Sequence, residues 1–74
     1  METIKVDFIK VEYNFFKPNT YKRVRFEEKY NASMLPQKDT IVFINGTKYK
    51  VIQLVYYPFG DVDGQIGVIA YLEE

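Results

Sequence analysis

Hydrophobic and polar residues alternate with a period of two along almost the whole chain, which is the pattern of β-strands half-buried against a core. Ile4, Val6 and Phe8 alternate with Lys5 and Asp7, and the apolar stripe then continues on Ile9, Val11, Tyr13 and Phe15. Two adjacent apolar residues at a change of phase are the mark of a β-bulge, so Phe8-Ile9 predicts one long, bent strand over about residues 2–16. Lys17-Pro18-Asn19-Thr20 predicts a turn, because proline fixes φ and asparagine tolerates the left-handed region. A second strand is expected over about 21–30, with Val24 and Phe26 on one face and Arg23, Arg25 and Glu27 on the other. Asn31 to Lys38 reads as a connecting loop with room for one short helical turn, closed by Pro36.

Asn45-Gly46 is the strongest local signal. Both central residues of a type I′ turn need positive φ, and this dipeptide accepts it at low cost. A two-residue loop there pairs Ile44 with Thr47, Val42 with Tyr49 and Thr40 with Val51, which makes Val42, Ile44, Tyr49 and Val51 one apolar face. Farther on the apolar set shifts to Ile52, Leu54 and Tyr56, predicting a second bulge near Val51-Ile52 in a strand that runs to about Tyr57. Pro58 to Gly64 reads as a long turn, and the last strand is expected over about 65–72.

These elements predict an all-β fold: a single domain over residues 1–74, built as a five-stranded antiparallel meander curled into an SH3-like barrel or a strongly bent sheet. Residues 52–57 and 66–72 are apolar on both faces, more than a one-sided sheet requires. Either aromatic side chains fill a thick barrel, or a second apolar face meets another molecule, with a homodimer as one form of that contact.

Composition then narrows the chemistry. Seven tyrosines and six phenylalanines in 74 residues exclude disorder. The absence of cysteine removes disulfides, thiolate metal sites and cysteine nucleophiles; the absence of histidine removes the commonest zinc ligand and general base. No cofactor is expected. Ten basic and ten acidic residues cancel, so bulk charge does not favour duplex DNA or an anionic membrane. Neither a signal peptide nor a long apolar run is legible, and the expected location is the cytoplasm.

Asp61-Val62-Asp63-Gly64 shares its opening with a calcium loop but lacks the glutamate at the twelfth position, which is Leu72. Asn31-Ala32-Ser33 and Asn45-Gly46-Thr47 fit the glycosylation acceptor pattern by chance, since no secretory signal precedes them. Serine, threonine, tyrosine and lysine are the only nucleophiles, with carboxylates or lysine as bases, and the expectation is no enzymatic activity.

One segment suggests binding. From Tyr13 to Phe26 there are four cations and no acid, interleaved with Tyr13, Phe15, Phe16, Tyr21 and Phe26. Such a mixture serves protein interfaces, where aromatic residues and arginine dominate the energetics, and also single-stranded nucleic acids, where bases stack on rings. The candidate contact residues are Phe16, Lys17, Tyr21, Lys22, Arg23 and Arg25 of this segment, with Phe43 and Lys48 on the second face of the Asn45-Gly46 hairpin.

The stretch Asp39 to Val51 (DTIVFINGTKYKV), with Val55-Tyr56-Tyr57 and the closing Val68 to Glu73 (VIAYLE), resembles a recurring type of small accessory protein encoded by tailed bacteriophages. The resemblance covers about half the chain. It implies a product that acts in the infected bacterial cytoplasm by binding and blocking a host protein, such as a defence nuclease or signalling enzyme. It carries no catalytic motif onto these residues. The expected function is therefore a non-enzymatic protein-binding module, an inhibitor or accessory factor acting by steric occlusion. A single-stranded nucleic-acid-binding module and a minor structural virion component are the alternatives.

Overall fold

The structure is a computed structural model that describes residues 3–57 and 67–74. Five strands form one sheet: β1 (Thr3–Glu12), β2 (Thr20–Asn31), β3 (Ile41–Ile44), β4 (Thr47–Tyr57) and β5 (Gly67–Glu73). One 3₁₀ turn, Ala32–Met34, follows β2, and the described residues contain no α-helix. The expected all-β fold is present as a single sheet curled into a half-barrel. The expected turn at Pro58–Gly64, with its Asp61-Val62-Asp63-Gly64 motif, lies outside the described residues.

The strand order is β2-β1-β5-β4-β3, which is not that of a meander. β5 lies between β1 and β4, parallel to β1 from Lys5↔Gly67 to Lys10↔Leu72 and antiparallel to β4. A central strand is bonded along both edges and flanked by side chains of two neighbours on each face, which suits a strand that is apolar on both faces. β5 has Val68, Ala70 and Leu72 on one face and Ile69 and Tyr71 on the other, and it takes such a position. The cation-rich β2 is left at an edge.

The register break expected at Phe8-Ile9 is present, but the extra residue belongs to the neighbouring strand. Phe8 pairs with Arg25 and Ile9 with Arg23, so Val24 of β2 is the bulged residue. A second step between Ile4↔Tyr30 and Val6↔Glu27 also adds its residue to β2. β1 therefore alternates without interruption and ends at Glu12, short of the residue 16 expected from the stripe. The side chain of Asn14 replaces a strand partner there. Its Nδ2 donates to Glu12 O (3.2 Å) and Pro18 O (3.3 Å), while Asn14 N donates to Asn19 Oδ1 (3.3 Å). Tyr13 to Asn19 is consequently a loop.

The inner face holds the core. Val6, Phe8, Ile44, Tyr49, Val51, Val68, Ala70 and Leu72 form one buried cluster, with Leu35, Val42 and Leu54 among the side chains packed against it. Each large member buried from water contributes roughly 1.5–3 kcal/mol. The Asn45-Gly46 turn has φ values of 52° and 81°, as the type I′ geometry requires, and β3 pairs with β4 in the expected register. The bulge expected near Val51-Ile52 is also present, between Val51↔Leu72 and Gln53↔Tyr71, and it transfers the inner set from Tyr49 and Val51 to Leu54. Tyr30 closes one end: its ring meets Phe8 edge-on at 6.0 Å and its hydroxyl donates to Met34 O at 2.9 Å.

Candidate protein-binding surface

Uninterrupted alternation in β1 sends Asp7, Ile9 and Val11 to the face opposite the core. Val11 is buried there, outside the core cluster. Tyr21 pairs with Val11 across the β1–β2 ladder, and its ring meets Tyr71 of β5 edge-on at 5.9 Å. With Tyr13, Ile52 and Val55 these residues line a shallow cavity of about 340 Å³. The outer face is thus an aromatic surface laid over the central strands, with one charge cluster beside it. Arg23 binds Asp7 through Nε at 2.7 Å and Nη2 at 3.0 Å, and its guanidinium lies 5.1 Å from the Phe26 ring centroid.

Beyond the sheet, the β1–β2 loop carries Phe15 and Phe16 into solvent. Both are fully exposed, at 101% of their reference area, and their rings are 6.5 Å apart. Lys17 follows them. Asn14 and Asn19 close the base of this loop, which is why two phenylalanines can stand at its tip without core contacts.

The strand order disperses the eight residues expected from sequence. Phe16 and Lys17 are at the loop tip, and Tyr21 and Arg23 face outward. Lys22 pairs with Lys10 and Arg25 with Phe8, which places both on the inner side of β2. Phe43 and Lys48 pair with each other on the β3–β4 hairpin, at the far edge of the sheet. Because the sheet curls, Arg25 and Phe43 come to line one cavity at its open side. A cavity of about 440 Å³ between β2 and β3 is lined by Phe8, Arg25, Glu27 and Tyr30 on one side and by Val42, Phe43, Ile44 and Asn45 on the other.

Electrostatics separate the cations of the first hairpin. Arg23 is held by Asp7 and Arg25 by Glu27, in both cases by a carboxylate from outside the Tyr13–Phe26 segment. Among the described residues Lys17 and Lys22 have no ion-pair partner. Lys10 bonds Glu74 at 2.8 Å and lies 3.7 Å from Glu12; the bond to Glu74 raises its pKa, against an opposing effect of desolvation.

Phe15, Tyr13, Tyr71 and Val55 were not among the expected contact residues. Phe15 fits the odd-numbered stripe so well that periodicity assigns it to a strand, and only the Asn14-Asn19 pair of short amides hints at a loop. Tyr71 and Val55 sit on strands apolar on both faces, where the sequence marks a second apolar face without saying which residues share it.

Fold and surface define the class: an all-β half-barrel of one mixed sheet, with an aromatic outer face and an exposed aromatic loop. The chain matches no protein-family model, no curated protein and no solved structure. No helix among the described residues is long and apolar enough to cross a membrane.

Proposed function

We propose that this chain is a non-enzymatic protein-binding module whose primary contact is the β1–β2 loop tip, continued onto the outer-face tyrosines. The observation that carries this reading is the pair of fully exposed rings at Phe15 and Phe16. Burying two such side chains in a partner is worth roughly 1.5–3 kcal/mol each. The partner chemistry follows from the neighbours. Lys17, next to the rings, calls for an acidic group at the rim of an apolar pocket that receives them. The loop acts as a wedge and the sheet behind it as a rigid body that occludes the partner's own site. The resemblance to phage accessory proteins supplies the setting, in which that partner is a host protein. A soluble, cytoplasmic location belongs to the same reading.

Single-stranded nucleic acid is the less favoured ligand, since Arg23 and Arg25 already face carboxylates and have less to offer phosphates. The test is an affinity capture from bacterial host lysate, comparing the wild-type chain with a Phe15→Ser/Phe16→Ser variant. A specific protein retained by the wild type and lost by the variant is the expected result. Equal retention by both rejects the loop tip as the contact. Binding of single-stranded oligonucleotides that weakens steeply with salt replaces this reading with the nucleic-acid one.

A further inference from the structure

The two free edges of the half-barrel are built differently. β2 carries both added residues of its ladder and the charges Lys22, Arg23, Arg25, Glu27, Glu28 and Lys29. Bulges and charge are the usual devices that keep an edge from pairing with another chain. β3 is Ile-Val-Phe-Ile, with neither charge nor proline nor a register step. It is short, but its edge is open.

Bonding alternates along an antiparallel ladder, so the register fixes which groups of β3 point away from β4. A two-residue turn makes Ile44↔Thr47 a bonded pair. Val42↔Tyr49 is then bonded as well, and Val51 N donating to Thr40 O at 2.9 Å confirms the phase at the other end. Ile41 and Phe43, at the intervening positions, aim their N–H and C=O groups out of the sheet. No backbone bond from another described residue reaches them. Their side chains are exposed too, at 47% and 72%.

We propose that β3 pairs antiparallel with β3 of a second copy, about a two-fold axis through Val42 and perpendicular to the sheet. The two outward-bonding residues flank Val42 symmetrically. The axis therefore sets Ile41 opposite the second copy's Phe43, and Phe43 opposite its Ile41. Each pair exchanges both N–H···O bonds, so every outward group of the edge is satisfied by its own equivalent. The register also conserves faces, because residues of the same parity oppose one another. Isoleucine against phenylalanine is a favourable cross-strand pair.

A second copy is the occupant because the edge is complementary to itself in position, bonding and charge. Residues 40–47 contain no ionisable side chain, so the pairing opposes no like charges. The nearest cations, Lys48 of one copy and Lys50 of the other, are three strand spacings apart, about 14 Å, beyond the screening length of roughly 8 Å at physiological salt. Neighbouring registers do worse: setting Phe43 opposite itself leaves Ile41 facing the turn residue Asn45. A contact of four residues per copy belongs with small, transient interfaces. The dimer is therefore weak, with a dissociation constant on the order of 100 μM. It uses neither the loop tip nor the outer-face tyrosines, so it is independent of the function proposed above.

Sedimentation equilibrium from about 10 μM to 1 mM, combined with amide exchange read residue by residue, tests it. The expected result is reversible self-association in which the Ile41 and Phe43 amides, rapid in dilute solution, slow several-fold on concentration. Phe43→Pro removes an outward N–H that the fold does not use; it is expected to keep the β-type circular dichroism and abolish association. Should that variant misfold, Ile41→Lys places a charge on the edge at an exposed position and is expected to do the same. A wild type that stays monomeric to 1 mM overturns the proposal. So does association that persists in the edge variants, or that is lost in Tyr21→Ala while the Ile41 and Phe43 amides still exchange fast.

Discussion

Arg23 holds Asp7 through two nitrogens across the β1–β2 ladder, at 2.7 and 3.0 Å, on the face opposite the core. The carboxylate is largely shielded from water, with a side-chain exposure of 20%. Its Oδ1 is buried and has an ion contact with Arg23 Nε at 2.7 Å that falls short of hydrogen-bond geometry. Arg23→Ala leaves that charge shielded and uncompensated, and is expected to cost about 1–2 kcal/mol. Arg23→Lys restores charge without the fork and recovers only part. Urea unfolding of the two variants, with Asp7→Ala to close a double-mutant cycle, measures the coupling; additive effects would show that the contact contributes nothing.

Leu72 is fully buried between Val51 of β4 and Lys10 of β1 in the ladder. Leu72→Ala is expected to lose about 2–5 kcal/mol, against the roughly 3–5 kcal/mol that one core supplies in so small a domain. The variant should be largely unfolded at 37 °C by circular dichroism. Met34→Ala, at an exposed position of the 3₁₀ turn, should stay within about 0.5 kcal/mol of wild type.

The turn residue Gly46 has φ +81°, and a Cβ added there would meet nothing within 4 Å. Gly46→Ala therefore reports backbone strain without a clash, and is expected to cost about 1–2 kcal/mol. A midpoint of thermal unfolding equal to wild type would mean the turn relaxes to another geometry.

Lys10 has a raised pKa, because folding brings it to Glu74 and Glu12. A group whose pKa rises on folding stabilises the folded state fully below its unfolded value, and loses that contribution as pH climbs through the folded one. Wild type should therefore exceed Lys10→Met in stability from neutral pH to about pH 10, with the gap closing above it. Thermal unfolding at stepped pH reads the difference; a gap that closes on acidification into the carboxylate range identifies loss of Glu74 and Glu12, whereas one constant at alkaline pH excludes the ion pair.

Phe15→Ser/Phe16→Ser is expected to leave the unfolding midpoint within about 0.5 kcal/mol of wild type, since neither ring touches the core. A large destabilisation would show that the loop packs on the sheet, and would disqualify the variant as a probe of binding.

Much of the architecture is legible in local residue order. Asn45-Gly46 specified its turn and the pairing of β3 with β4, and the break of phase at Val51-Ile52 marked a real bulge. The break at Phe8-Ile9 is also real, but its extra residue lies in β2 rather than in β1. A phase change records a misfit between two strands, and one strand alone cannot say which of them holds the extra residue. The candidate surface was legible only in part. Tyr21 and Arg23 do share the outer face, whereas Lys22 and Arg25 turn inward, because the bulge at Val24 resets the parity of β2.

Period-two hydrophobicity, with one dipeptide able to take positive φ twice, determined by itself that the fold is all-β and where the tight hairpin falls. Those are properties of neighbours in sequence. Strand order, the parallel union of β1 with β5, the dispersal of the cations and the open edge at β3 were decided only by tertiary structure. Alternation tells each strand which face to bury but not beside whom to lie, and that choice is made by packing among residues far apart in the chain.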